Sequence, residues 1–388
     1  MKAFTLKTLL SCGFSQSLYI SLMKKGGAIL LLALLPVSMI YADHETSPKD
    51  TVKLAYSPQQ IDGADLMKVK DANFVNSLIG RVAGAAINPS ASGVGGSVRM
   101  VLRGYRSILK SNNVLFTLDG VPLPRLEPEQ SFNVNTSNWQ TGDGIAAFSP
   151  DDIKSISVLS TAAASTLYGS RSASGVVMIN TKKAHSGKLR VELGNSTTFS
   201  SPLVMPEFQQ TYVAGWGEKT NHPQSWNPAD FFRTGHTINN SLSLSIGKRV
   251  SAVTMNGTGI IPNNDVDRYN FSFRNTSSLL NHRLKLDFTL RYIHTAEQNM
   301  LSQGMYGNPL VPVYLVPDVL QERISVNPDY NYKNHFEVYD PKLGANAQYW
   351  PLGNMGMGMQ NPYWIINRNL YNQKKRRLLG GIGAKYDL

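Results

Sequence analysis

Hydrophobic and polar positions follow two different rules along this chain of 388 residues, and the rule changes near residue 187. Before that point, apolar residues come in short unbroken runs punctuated by glycine, proline and aspartate. "NNVLFTLDGVPL" predicts a strand closed by Asp119-Gly120 and Pro122, and "DDIKSISVL" predicts a second strand with Asp151-Asp152 at its start. "GVVMINT" predicts a third, and its continuous apolar run predicts burial on both faces. "NFVNSLIGRVAGAAI" reads as a helix, "SGVGGSV" as a glycine loop leading into "RMVLRGY", and "STAAAST" as a short helical turn. These segments predict one small mixed α/β domain with a single core.

Beyond residue 187 the apolar residues alternate. In "RLKLDFTLRYI", Leu284, Leu286, Phe288, Leu290 and Tyr292 fall on one face and Arg283, Lys285, Asp287, Thr289 and Arg291 on the other. Ile238, Leu242, Leu244 and Ile246 stand opposite a row of Ser and Asn, and Val191, Leu193, Tyr269, Phe271 and Phe273 continue the pattern. Alternation over segments of about ten residues suits transmembrane barrel strands, apolar toward lipid and polar toward the lumen. A soluble antiparallel sheet with one wet face alternates identically. Loop lengths favour the barrel. Turns near Gly247 and near Asn281-His282 are tight, whereas the connections around 200–236, 262–267 and 296–372 are longer and fall at the opposite end.

Composition and local motifs add to this picture. The 17 Tyr and 32 Gly favour strands and turns. "MKKGGAILLLALLPVSMIYADHE", from Met23, has the charged start, apolar centre and small-residue boundary of an export signal with cleavage after Ala42, so residues 1–22 read as an upstream extension. Removing Lys2, Lys7, Lys24 and Lys25 lowers the formal charge from +12 to +8, with no nucleic-acid-binding motif to use it. Cys12 is the lone cysteine, which excludes a disulfide framework and a thiolate metal site. No catalytic constellation emerges. The seven histidines lack metal-ligand spacing, "GVGGS" lacks the Gly-Lys-Ser/Thr of a phosphate loop, and Asp151-Asp152 reads as turn chemistry. Neither enzymatic activity nor a cofactor is expected.

Two segments carry a resemblance. "LRGYRSILKSNNVLFTLDGVPL" and "SPDDIKSISVLSTAAASTLYGSRSASGVVMINTKK" resemble the plug domain of TonB-dependent outer-membrane receptors, and more narrowly the SusC/RagA group of glycan and peptide importers. The matching residues are Arg103-Gly104, Asp119-Gly120 through Pro122, Asp152-Ile153, Val158-Leu159, Leu167-Tyr168-Gly169-Ser170-Arg171 and Thr181 to Lys183, with "NPYW" at 361–364 downstream. Ser172, Ser174 and Arg106 depart from the group's pattern. The resemblance implies a signal and extension over 1–42, a pre-plug segment over 43–70, a plug over 71–186 and opening barrel strands over 187–388. The implied fold class is therefore a mixed α/β plug followed by about six antiparallel barrel strands. Barrels that enclose a plug have about 22 strands, so an N-terminal part of a larger receptor is expected.

It also implies roles. The plug motif residues Arg103, Gly104, Asp119, Gly120, Tyr168, Gly169 and Arg171 would be structural, with Arg103 and Asp119 sharing a buried polar contact that braces the plug. Energy would come from TonB, which adds an extended segment as a strand. "KDTVKLAYS" offers Asp50, Thr51 and Val52 as a candidate box, although the same residues also read as a plug-proximal strand. The expected partners are TonB, a SusD-like surface lipoprotein, outer-membrane lipid and an oligosaccharide or peptide cargo, with no nucleic acid. Trp139, Trp216, Trp226, Trp350 and Trp364 are candidates for stacking on sugar rings, or for anchoring at the lipid interface. A non-transporting periplasmic plug-like module and a secreted glycan-active enzyme remain as other readings.

Overall fold

The structure is a computed structural model that describes residues 4–11, 41–42, 59–68, 70–89, 93–108, 111–124, 138–139, 144–183, 189–205, 227–281, 283–300, 302–303, 307–314, 333–350, 360–368 and 370–387. A five-stranded sheet orders the first half. Its strands run Gln59–Asp62, Ile153–Leu159, Val176–Thr181, Leu115–Leu118 and Val121–Pro122 across the sheet. Val176–Thr181 lies centrally, antiparallel to Ile153–Leu159 and parallel to Leu115–Leu118. That position accounts for its unbroken apolar run: Val176, Val177 and Ile179 are all fully buried, covering both faces. Leu66, Phe74, Val75, Leu78, Met100, Leu118 and Ile156 complete the main core of this module.

The helix expected over 73–87 does not form. Asn73 caps a 3-10 turn, Phe74–Leu78, and Ala85–Pro89 is a strand paired with Val98–Leu102. Gly80 and Gly84 take φ of +74° and +72°, outside helical geometry. The apolar spacing that reads as a helical face belongs to a turn and then an extended hairpin. "STAAAST" does begin a helix, Thr161–Tyr168, followed by a 3-10 turn at Gly169–Ser172.

The second sheet is antiparallel. Six long strands lie side by side in chain order: Arg190–Ser200, Gly235–Ile246, Lys248–Thr258, Asp265–Leu279, Leu284–Gln298 and Asn372–Tyr386. Tight turns at Gly247 (φ +60°) and at Leu280-Asn281 (φ +53° and +51°) join them at one end, and the longer connections lie at the other. The described strands form an open sheet, not a closed barrel. The backbone of Phe4–Ser11 pairs along the outer edge of Asn372–Tyr386, and Tyr41–Ala42 pairs in turn with it. The segment that reads as extension and signal thus occupies groups that a sheet edge leaves unpaired.

The faces of this sheet are inverted relative to a soluble sheet. Leu193, Leu242, Leu244, Ile246, Tyr269, Phe271, Phe288, Tyr292, Leu378 and Ile382 are exposed, Ile382 by 62%. Asn239, Ser243, Ser245, Arg249, Ser251, Arg268, Ser272, Arg274, Arg291 and Thr295, on the opposite face, are buried. A sheet in water buries its apolar face. This one packs its polar face on the five-stranded module and leaves a continuous apolar band outside, the arrangement of a lipid-facing barrel wall. No helix among the described residues is long and apolar enough to cross a membrane, which says nothing about strands. At the long-loop end, Phe231, Ile261, Val313, Tyr363 and Ile366 form a separate small core around the helix Pro362–Arg368.

Candidate functional site

The contact between the five-stranded module and the polar face of the long sheet is where the unusual chemistry gathers. It begins at Asp119, which takes a φ of +47° beside Gly120 at +88° in the turn between Leu115–Leu118 and Val121–Pro122. This turn aims the Asp119 carboxylate out of the module. One oxygen accepts from the Thr181 backbone N–H at 2.8 Å, and the other from the Thr181 hydroxyl at 2.7 Å. Arg274 and Arg291, on adjacent strands of the long sheet, each place a guanidinium nitrogen 3.5 Å from Oδ2. Arg274 also grips Asp287 with two nitrogens and donates to Thr181 Oγ1 at 2.7 Å. Burial pushes the Asp119 carboxyl up, but the Arg291 and Arg274 charges and the Thr181 hydrogen bonds outweigh it and hold its pKa below the usual carboxylate value.

A second cluster is built on Asp151 and Asp152. Ser149 caps their 3-10 turn by accepting from the Asp151 N–H, so both carboxylates project together toward the sheet. Asp151 accepts from Lys70 at 2.8 Å, in a pair in which both side chains are under one-tenth exposed, and from Ser241 at 3.1 Å. Asp152 accepts from Ser251 at 2.6 Å and Ser272 at 3.3 Å, with Arg249 at 3.6 Å. Glu192 on the first long strand draws in Lys182 at 3.6 Å and Arg249 at 3.7 Å.

Main-chain carbonyls of the module accept from further side chains of the sheet. Arg268 donates to Ala72 O at 2.8 Å, Asn270 to Ala147 O at 3.0 Å and Arg377 to Gly144 O at 2.7 Å. The glycine loop has a part here too. Gly93 takes a φ of +108°, and a Cβ on it would lie 2.1 Å from Asn264 Oδ1. Its bareness lets the loop approach closely enough for Asn264 to accept from Val94 N–H at 3.0 Å. Apolar contact across the interface comes from Ile293 and Leu379, which join the module's core, and from Met255 and Val266, which pack with Ala72 and Val94 of the module.

The arrangement can hold two bodies together with polar links that water can replace one by one. Among the described residues, no group of three or more His, Cys, Asp or Glu is placed to hold a metal.

The residues singled out in the sequence are distributed as follows. Asp119 and Gly120 lie at the centre of the contact. Arg103 and Asp119 are not brought together: Arg103 is exposed at a φ of +54°, beside Gly104, and the guanidinium groups on Asp119 come from the long sheet. Tyr168 is half-buried against Leu115, Leu159, Ala164 and Val176, while Gly169 and Arg171 are exposed. Trp350 packs on the small loop core, and Trp364 is half-buried in Pro362–Arg368. Trp139 lies in a two-residue strand paired with Ser302–Gln303. Asp50, Thr51, Val52, Trp216 and Trp226 lie outside the described residues. Arg249, Arg268, Arg274 and Arg291 were missed as a set. Their signal was present, because arginine recurs on the polar face of three successive strands.

Comparison with known proteins agrees with this geometry. Residues 50–176 match the TonB-dependent receptor plug domain. TonB-dependent receptor SusC of Bacteroides thetaiotaomicron is 24% identical over 326 residues, covering 79% of this chain and 29% of SusC. TonB-dependent receptor P26 of Formosa agariphila is 24% identical over 315 residues, covering 74% of this chain and 28% of the relative. The chain therefore spans less than a third of the length of these relatives. The fold is shared with the RagAB peptide transporter, at a TM-score of 0.60 and 17% identity, over 84% of this chain and 39% of that one. Residues 50–176 thus carry a TonB-dependent receptor plug domain, and over most of its length the chain is similar to SusC-type TonB-dependent receptors and shares the fold of the RagAB transporter.

Proposed function

We propose that the chain supplies the plug and the opening barrel wall of an outer-membrane nutrient receptor, in which displacement of the plug admits an oligosaccharide or a peptide. The observation that carries this reading is the inverted sheet: its apolar face is exposed while its polar face is packed on the plug. That geometry suits a wall between lipid and an aqueous lumen. We assign residues 1–42 to export, 43–70 to the approach to the plug, 71–186 to the plug and 187–388 to the wall. The strand Gln59–Asp62 and the turn after it pack on the plug sheet and belong with it physically.

The polar interface supports a gating role. Each neutral hydrogen bond broken on plug release is exchanged for one to water at a net cost of about 0.5–1.5 kcal/mol. The plug's own core is mostly internal to it and would stay intact when the interface opens. TonB, engaging the segment around Asp50, Thr51 and Val52, would deliver the work. A SusD-like lipoprotein would cover the long-loop end, where the loop core lies.

Fractionation and growth test the reading. The protein is expected in the outer-membrane fraction after carbonate washing, and a deletion strain is expected to lose growth on particular oligosaccharides or peptides. Recovery of the native protein in the soluble periplasm, with no growth defect, would support a non-transporting plug-like module instead.

A further inference from the structure

The run Lys374-Lys375-Arg376-Arg377 sits at the long-loop end of the last barrel strand, and strand alternation splits it in two. Lys375 and Arg377 point inward: Lys375 pairs with Glu297 at 2.9 Å, and Arg377 donates to the plug carbonyl of Gly144. Lys374 and Arg376 point outward and are exposed, and neither forms an ion pair among the described residues.

Their position on that outer face is specific. Along the same strand and face, Leu378, Ile382 and Tyr386 are exposed members of the apolar band. On the neighbouring strands Tyr292 and Tyr269 mark the upper border of the band, and Arg376 lies opposite His294, whose ring stacks on Tyr269 at 6.1 Å. Arg376 therefore stands level with the upper border of the apolar band and Lys374 in the next outward-facing row above it, at the end reached by the long loops. The acids on this part of the face are engaged elsewhere: Asp267 accepts from Asn256 at 2.7 Å, and Asp265 pairs with Arg233 at 3.1 Å. Two cations about 7 Å apart along a strand, bordering a lipid-facing band, are spaced to share a phosphate at headgroup depth.

We propose that Lys374 and Arg376, flanked by His294, form a site for the phosphate of an anionic lipid headgroup in the outer leaflet. The proposal rests on the outer-membrane reading above. It is tested by native mass spectrometry of the full chain in neutral detergent, titrated with phosphatidylglycerol or phosphatidylcholine, alongside reconstitution into phosphatidylcholine vesicles. The K374Q/R376Q variant is expected to lower phosphatidylglycerol retention roughly tenfold while leaving phosphatidylcholine retention unchanged. R376K is expected to keep most of the retention, as is K248Q/K285Q at the opposite end of the sheet. Inorganic phosphate is expected not to displace the lipid. Unchanged phosphatidylglycerol retention in K374Q/R376Q, an equal loss in K248Q/K285Q, or displacement by inorganic phosphate would each overturn the proposal. A chain that fails to enter phosphatidylcholine vesicles would overturn the outer-membrane reading itself, and the site with it.

Discussion

At the scale of single residues, Asp119 shows how one side chain can join two bodies. Its carboxylate is shared by Thr181 on its own module and by Arg274 and Arg291 on the facing wall. Removing it leaves Arg291 without that charge partner in a buried setting. Asp119→Ala is therefore expected to destabilise the folded chain by about 3 kcal/mol, read as a lowered midpoint in denaturant unfolding. The pH dependence has a definite sign. The folded-state pKa of Asp119 lies below its unfolded value, so the unfolded state binds more protons in acid. Its stabilising contribution is complete above the unfolded pKa of about 3.9 and is lost as pH falls through the lower folded value. Protease sensitivity of the plug should rise below about pH 4 in the wild type and be flatter in Asp119→Asn. Gly175 is a second position where atomic detail decides. It takes a φ of +96°, and a Cβ there would meet Leu102 Cδ1 at 2.7 Å. Gly175→Ala is expected to cost about 1–3 kcal/mol by the same unfolding measurement.

At the scale of elements, one alternating pattern serves two solvents. Phe288 is exposed on the outer face, in the middle of its strand's apolar stretch, and next along the chain Asp287 binds Arg274 on the inner face. If the outer face meets lipid, Phe288→Lys should cost about 2–4 kcal/mol in vesicle-based unfolding, while Phe288→Leu should be nearly silent. A face in water would tolerate the lysine to within about 0.5 kcal/mol. The plug elements teach a different lesson. The central strand Val176–Thr181 was legible because no half-exposed strand carries so continuous an apolar run. The stretch 73–87 was misread as a helix because its apolar spacing fits a 3.6-residue repeat. Only the backbone at Gly80 and Gly84, and the pairing of Ala85–Pro89 with Val98–Leu102, show otherwise.

At the scale of the whole molecule, the plug and the wall are held by charge and hydrogen bonds, with apolar contact at Ile293 and Leu379 and at Met255 and Val266 against Ala72 and Val94. Charge-neutralising changes on both sides should therefore be coupled. The double variant Asp152→Asn/Arg249→Gln is expected to lose less stability than the sum of the single variants, by about 1 kcal/mol or more in a double-mutant cycle. Independent, additive losses would mean that the 3.6 Å contact between them does not contribute as a pair.

The sequence by itself determined the two-part organisation, the change of rule near residue 187, the alternation of four strand segments and the position of the tight turns. Each of these rests on local periodicity or on turn chemistry, which a chain carries with it wherever it folds. It did not determine which face of the sheet is covered, because a soluble sheet and a barrel wall share the same alternation. Nor did it pair the charges. Asp119 meets Arg274 and Arg291 across sequence separations of 155 and 172 residues, a choice made by the docking of two modules and not by spacing along the chain. Tertiary structure decided that the polar face lies inward on the plug and the apolar face outward, and it is this choice that separates a barrel wall from a soluble sheet.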